Sequence, residues 1–70
     1  MNTMERIAIV KQHMKWVANI TSMDPMRRAD QCYGLLMGME MALGLDGSEL
    51  DELTEYWENL RAQIMGYVRR

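Results

Sequence analysis

The sequence predicts an all-α fold of three helices in one domain, and three observations support it. Apolar residues recur three and four positions apart, and no segment alternates apolar and polar residues as a strand does. Two short stretches, 21–25 and 44–48, contain the turn-forming residues that separate these helical patterns. With 70 residues, the chain is at the small end of what folds alone. We therefore expect a single helical domain over residues 1–70.

Residues that favour helix ends predict three helices, at about 3–20, 25–43 and 48–69. Asp24 followed by Pro25 is a favourable helix start, because the carboxylate accepts backbone N–H bonds and proline fits the first turn. Gly44 is suited to ending the second helix. Ser48 and Asp51 have the spacing of a capping box at the start of the third.

The third helix has the most regular apolar pattern. Its residues at alternating spacings of three and four form one seam: Leu50, Leu53, Trp57, Leu60, Ile64 and Tyr67. Acidic residues fill its first half and arginines its end, an order that complements the helix dipole. These acidic residues are Glu49, Asp51, Glu52, Glu55 and Glu58. We expect them to form a solvated face, and the alternative is a docking patch for a basic partner.

The second helix is apolar on every side over residues 32–45, where Glu40 is the only charge. Such a helix needs cover all round, and two neighbours in so short a chain barely provide it. Cys32 is the only cysteine, which excludes a disulfide within the chain, and no residues have zinc-site spacing. We therefore expect homo-oligomerisation to complete the helical bundle.

Small residues form a ridge along this second helix at four-residue spacing: Gly34, Gly38 and Ala42. A glycine inside a helix costs roughly 1 kcal/mol relative to alanine, so two of them suggest that another backbone approaches closely. The groove is predicted either to take a second copy of the chain or to pack against helix 1 or 3. A second apolar stripe on helix 1 adds Ile9 and Ile20 to the predicted self-association surface.

Aromatic residues are the predicted anchors for a partner protein, because such side chains dominate interface energetics. They are Trp16, Tyr56 and Trp57. Arg27 and Arg28 open the second helix, where cations oppose the helix dipole. The two arginines are predicted either to pair with nearby aspartates or to bind an anion with the helix N-terminus, Tyr33 supplying a stacking ring.

Glu40 is the one candidate for a buried acid, because apolar neighbours disfavour its charged form. It is predicted to reach solvent or to pair with a cation of this chain. The alternative is a binding role, in which its carboxylate anchors a buried cation. His13, Cys32 and the loop hydroxyls have no spacing typical of a metal site or a nucleophile. The sequence thus predicts no catalytic residue, no metal and no cofactor.

The net charge is −2 with scattered basic residues, which disfavours a nucleic-acid partner. No apolar run approaches the roughly 20 residues of a membrane span, and the N-terminus lacks a signal-peptide pattern, so we expect a cytoplasmic protein. The predicted function is non-enzymatic: a self-associating protein that inhibits, regulates or scaffolds a partner protein. A very short, Met-rich, all-helical chain without a catalytic motif is common among small regulators and among inhibitors encoded by phages and mobile elements. The alternative is an oligomer that sequesters an anionic or nucleotide-like ligand between subunits.

Overall fold

Three packed α-helices account for nearly all of residues 2–66, the part of the chain that the computed structural model describes: α1 (Thr3–Ala18), α2 (Pro25–Leu43) and α3 (Gly47–Ile64). Each helix packs against both of the others. The all-α class and the three-helix packing are therefore confirmed. The bounds of α2 agree with the prediction, whereas α1 and α3 differ from it at their ends.

Helix α1 begins with a capping box that the sequence analysis did not identify. The Asn2 side chain accepts the Glu5 N–H at 2.8 Å, and Glu5 Oε1 accepts the Asn2 N–H at 3.0 Å. The helix ends at Ala18, two residues before the predicted end, and a turn follows it. In that turn the Met23 N–H donates to the Ile20 carbonyl at 3.1 Å.

Helix α2 starts and ends for the predicted reasons. Asp24 accepts the Arg27 N–H at 2.9 Å, and Pro25 occupies the first turn. Gly44 has φ of 63°, a left-handed conformation that favours glycine. The chain therefore turns sharply here, and only two further residues separate it from α3.

Helix α3 is capped by Asp46 and not by Ser48. Asp46 accepts the Glu49 N–H at 2.8 Å, and Glu49 Oε1 accepts the Asp46 N–H at 3.0 Å. The predicted box of Ser48 and Asp51 is therefore wrong, because the longer Glu49 side chain reaches back over three residues. The Ser48 hydroxyl instead donates to Asp46 Oδ1 at 2.9 Å.

The end of α3 also differs from the prediction. The helix ends at Ile64 and not at residue 69, and Gly66 adopts a left-handed φ of 77°. Such a conformation cannot continue a helix, which explains the earlier end. Tyr67, the last member of the predicted apolar seam, lies outside the described residues.

The core lies between the three helices and takes only one face of α2. Its buried members are Ile7, Val10, Met14, Ala18, Cys32, Leu36, Leu53 and Leu60. The Cys32 thiol donates to the Met14 carbonyl at 3.3 Å, linking α2 to α1. The Trp57 indole donates to the Ala29 carbonyl at 3.0 Å, linking α3 to α2. Most of the remaining α2 surface points outward.

We predict that Cys32 reacts only when the whole domain unfolds. The thiol is fully buried, and desolvation raises its pKa against the opposing charge of Arg28. A disulfide reagent such as DTNB should modify native protein more slowly than urea-unfolded protein at the same pH, by a factor of at least about 10³. A short unstructured cysteine peptide calibrates the intrinsic rate. A native rate within tenfold of the unfolded rate contradicts the burial.

Candidate interaction surface on helix α2

The small-residue ridge of α2 faces solvent. Gly34, Gly38 and Ala42 are all exposed. A Cβ atom added at either glycine meets no atom of a neighbouring element within 4 Å. In the described part of the chain, neither α1 nor α3 therefore fills the groove. Of the two predicted occupants, only the one from outside this chain, a second copy, remains.

Large apolar side chains lie along one flank of this ridge. Met41 is 85% exposed and Met26 63%, while Tyr33 is 43% exposed. At 100° per residue, all three lie on the same side of the line through Gly34 and Gly38. They are three of the five exposed large hydrophobic side chains among residues 2–66. We call the combined surface the α2 outer face: Met26, Tyr33, Gly34, Gly38, Met41 and Ala42.

Helix α3 supports the aromatic member of this face. The Tyr33 and Trp57 rings lie 4.8 Å apart with a tilt of 54°, a favourable aromatic geometry. Because the Trp57 indole is held by the Ala29 carbonyl, it offers Tyr33 a fixed surface to pack against. Tyr33 therefore borders the ridge in a defined position.

The three predicted partner anchors have different surroundings. Trp16 is 70% exposed. Trp57 is half-buried and already bonded within the chain, and Tyr56 is half-buried with the Lys11 ammonium 5.1 Å from its ring centroid. Trp16 is thus the only one of the three that presents most of its surface to solvent.

The second stripe of α1 is only partly exposed. Ile9 and Ile20 are half-buried, so each retains some apolar surface for a contact. His13 is exposed, and its Nδ1 lies 2.8 Å from the Ile9 carbonyl oxygen. Ile9 and Trp16 thus give α1 some exposed apolar surface, whereas Ile20, predicted on the same helix, lies in the turn after the helix ends at Ala18.

The predicted anion-binding residues do not converge within one chain. Arg28 donates to the Met23 and Ala18 carbonyls at 3.0 and 2.9 Å, whereas Arg27 is exposed on another side of α2. Arg28 and Tyr33 are five residues apart, about 140° around the helix. Within residues 2–66 neither arginine forms an ion pair with an aspartate. A site that uses both arginines and Tyr33 requires a second chain.

Glu40, the predicted buried acid, is half-buried and makes no ion pair within the described range. The acid that is fully buried is Glu49, which had been expected on a solvated face; it is only 1% exposed. Its Oε1 lies 2.7 Å from Arg6 Nη2, and the same nitrogen donates to the Gly44 carbonyl at 3.3 Å. The spacing of Asp46 and Glu49 could have indicated the capping box, but not a partner 43 residues away.

Hydrogen bonds to backbone groups stabilise both carboxylates at this end of the bundle. The hydrogen bond from the Asp46 N–H is the largest cause that lowers the pKa of Glu49; burial opposes it, and the Arg6 guanidinium lowers the pKa further. The Glu49 N–H and the Ser48 hydroxyl lower the pKa of Asp46. Arg6 Nε and Glu49 Oε2 are buried without a partner among the described residues, so the ion pair has one bond and not two.

No family model matches this chain, and no curated protein or solved structure matches it either. In residues 2–66, no helix is both long and apolar enough to cross a lipid bilayer. The same residues contain no group of three or more acidic, histidine or cysteine side chains placed to hold a metal ion.

We predict that the stability contributed by the Arg6–Glu49 pair is lost in acid. Because the pKa of Glu49 is lowered in the folded state, its contribution is complete above the unfolded value of about 4.5 and is lost as pH falls through the folded value. Glu49→Gln keeps an acceptor for the Asp46 N–H but removes the charge. The stability gap between wild type and this variant should therefore shrink between pH 6 and pH 3.

Urea unfolding followed by circular dichroism across this pH range measures the gap. Glu58→Gln is the matched control, because Glu58 is exposed on the same helix and forms no ion pair within the described residues. That variant should follow the wild-type pH profile. A constant gap for Glu49→Gln at all pH values contradicts the prediction.

Proposed function

We propose that this chain is a non-enzymatic binding protein that pairs with a second copy through the α2 outer face. In this form it acts on a partner protein by inhibiting, regulating or scaffolding it. The observation that carries the proposal is the solvent-facing ridge of Gly34, Gly38 and Ala42. The two glycines weaken the helix by roughly 1 kcal/mol each, and no contact within the described chain offsets that loss.

The apolar flank of the ridge supports a protein occupant. Met41 and Tyr33 are large side chains that gain free energy when they leave water, and the adjacent glycines allow a second backbone to approach closely. A standard interface takes about 800 Å² from each partner, which is about one-sixth of the 4954 Å² that this chain exposes. Helix α2 is about 28 Å long, and the ridge and its apolar flank lie exposed along it.

A second copy is the occupant that fits this surface best. In a twofold interface the same patch meets itself, so the small residues of one copy face those of the other along the ridge. Between Gly34 and Ala42 the only charged side chain is Glu40, and it lies about 160° around the helix from Gly38. Pairing two copies therefore brings no like charges together at the centre of the contact.

The exposed Trp16 on α1 supports the second part of the proposal, a contact with another protein. Its large apolar surface lies on a different helix from the ridge, and no described residue covers most of it. Tryptophan is enriched among the residues that dominate binding energy. Tyr56 and Trp57 contribute less exposed surface, so we assign the main anchor to Trp16 and supporting roles to those two.

The two glycines permit a test with opposite effects on folding and pairing. Gly34→Ala and Gly38→Ala each add a methyl group that meets nothing in the chain, so each should stabilise the monomer by up to about 1 kcal/mol. The same methyl groups separate the paired helices and should weaken the dimer. Urea unfolding at low concentration measures the first effect, and sedimentation velocity measures the second.

A larger substitution sharpens the result. Gly38→Leu should make the protein monomeric at concentrations where wild type is dimeric. Glu58→Leu introduces the same large side chain at an exposed position of α3 and should leave the dimer intact. Circular dichroism confirms that both variants remain helical. Monomeric wild type at about 100 μM contradicts the proposed pairing, as does a Gly38→Leu variant that pairs as tightly as wild type.

A further inference from the structure

A cleft of about 450 Å³ opens at one end of the bundle, away from the α2 outer face. The end of α1, the start of α2 and the second half of α3 meet there. Its lining residues are Lys15, Ala18, Asn19, Arg28, Tyr56, Asn59, Leu60, Gln63 and Ile64. Its volume is within the range of small-molecule sites. None of its lining residues belongs to the predicted self-association set.

The charges of this cleft are unlike those of the whole chain. Although the net charge is −2, the two charged residues that line the cleft, Lys15 and Arg28, are both cations. Asn19, Asn59 and Gln63 add amide groups that can donate hydrogen bonds. Among residues 2–66, the cleft is lined by cations and amides and by no carboxylate, which suits it to an anion.

Arg28 is held in place before any ligand arrives. Its Nε donates to the Met23 carbonyl at 3.0 Å and its Nη1 to the Ala18 carbonyl at 2.9 Å. These two bonds fix the plane of the guanidinium and leave Nη2 for another acceptor. The bond to Ala18 also offsets the negative end of the α1 dipole, which otherwise repels an anion at this position.

The floor of the cleft is apolar. Ala18 and Leu60 are buried, and Ile64 is half-buried beside them. A free inorganic anion makes no use of this surface, whereas an anion with an apolar body covers it and gains free energy by leaving water. The arrangement therefore favours an amphipathic ligand over a simple ion.

We propose that this cleft binds a small organic anion, whose phosphate or carboxylate lies between Lys15 and Arg28 and whose apolar body covers Ala18, Leu60 and Ile64. The site is formed by one chain and is independent of the pairing proposed above. It also differs from the predicted inter-subunit site, because Arg28 takes part without Arg27 or Tyr33.

The side-chain amides of the protein provide local reporters for this proposal. The chain has six: Asn19, Asn59 and Gln63 line the cleft, whereas Asn2, Gln12 and Gln31 do not. NMR titrations with 1-naphthyl phosphate and 1-naphthoate test the phosphate and the carboxylate, respectively. We expect saturable shifts of the three cleft amides with at least one of these ligands. 1-Naphthol and inorganic phosphate, which each supply half of the chemistry, should bind at least tenfold more weakly.

Two variants that each remove one cation test the charge. Lys15→Gln should weaken binding about fivefold at low salt, an effect that shrinks at high salt, because an exposed charge contributes modestly and is screened. Arg27→Gln removes an exposed cation that does not line the cleft and should bind within twofold of wild type. The proposal is overturned if neither naphthyl anion gives saturable shifts at ligand concentrations up to about 10 mM. It is also overturned if all six amides shift alike or if the two variants behave identically.

Discussion

The hydrogen-bonded pair of Arg6 and Glu49 determines how the three helices meet. One oxygen of Glu49 accepts both the Arg6 guanidinium and the Asp46 N–H, so a single atom completes the capping box of α3 and links that helix to α1. Arg6 also bonds to the Gly44 carbonyl, where α2 ends. The Arg6 guanidinium thus links α1 to α3 and to the end of α2. Removing one partner of such a pair is strongly destabilising, because the charge that remains is costly to bury alone.

This arrangement leaves α2 open on its outer side. The short connection between Gly44 and Asp46 and the bond from Arg6 fix the C-terminal end of α2. At its N-terminal end, Arg28 bonds to the Ala18 carbonyl at the end of α1. Helix α2 is therefore attached at both ends and buries only a narrow face between them. The same arginine thereby shapes both the helix connection and the cleft that we propose to bind an anion.

Local sequence signals predicted the helices well, and the reasons are specific. The start at Asp24 and the end at Gly44 depend on neighbouring residues alone, so they could be read from the sequence. The predicted box of Ser48 and Asp51 overlaps the one that forms between Asp46 and Glu49, where the longer Glu49 side chain reaches back to the N-cap. The early end at Ile64 follows from the conformation of Gly66, a residue that had not been weighed.

The surfaces were harder to predict, because they depend on which side of each helix faces inward. The ridge of Gly34 and Gly38 was recognised, but the sequence left open whether it faced the core or solvent. Glu49 looked like its acidic neighbours, and only the distant Arg6 makes it a buried residue. The cleft around Lys15 and Arg28 combines residues from three helices with no common motif. Long-range proximity of this kind is not encoded in local spacing.

The three helices differ in how readily each can form on its own. Helices α1 and α3 each have a capping box, an acid in the first turn and a base in the last, whereas α2 has neither charge and contains two interior glycines. Isolated helices of this length are marginal even with good sequences, so α2 depends on its neighbours for its helical state. During synthesis on the ribosome, α1 emerges before α2 and α3 after it. Helix α2 therefore remains without its second packing partner until α3 emerges from the exit tunnel.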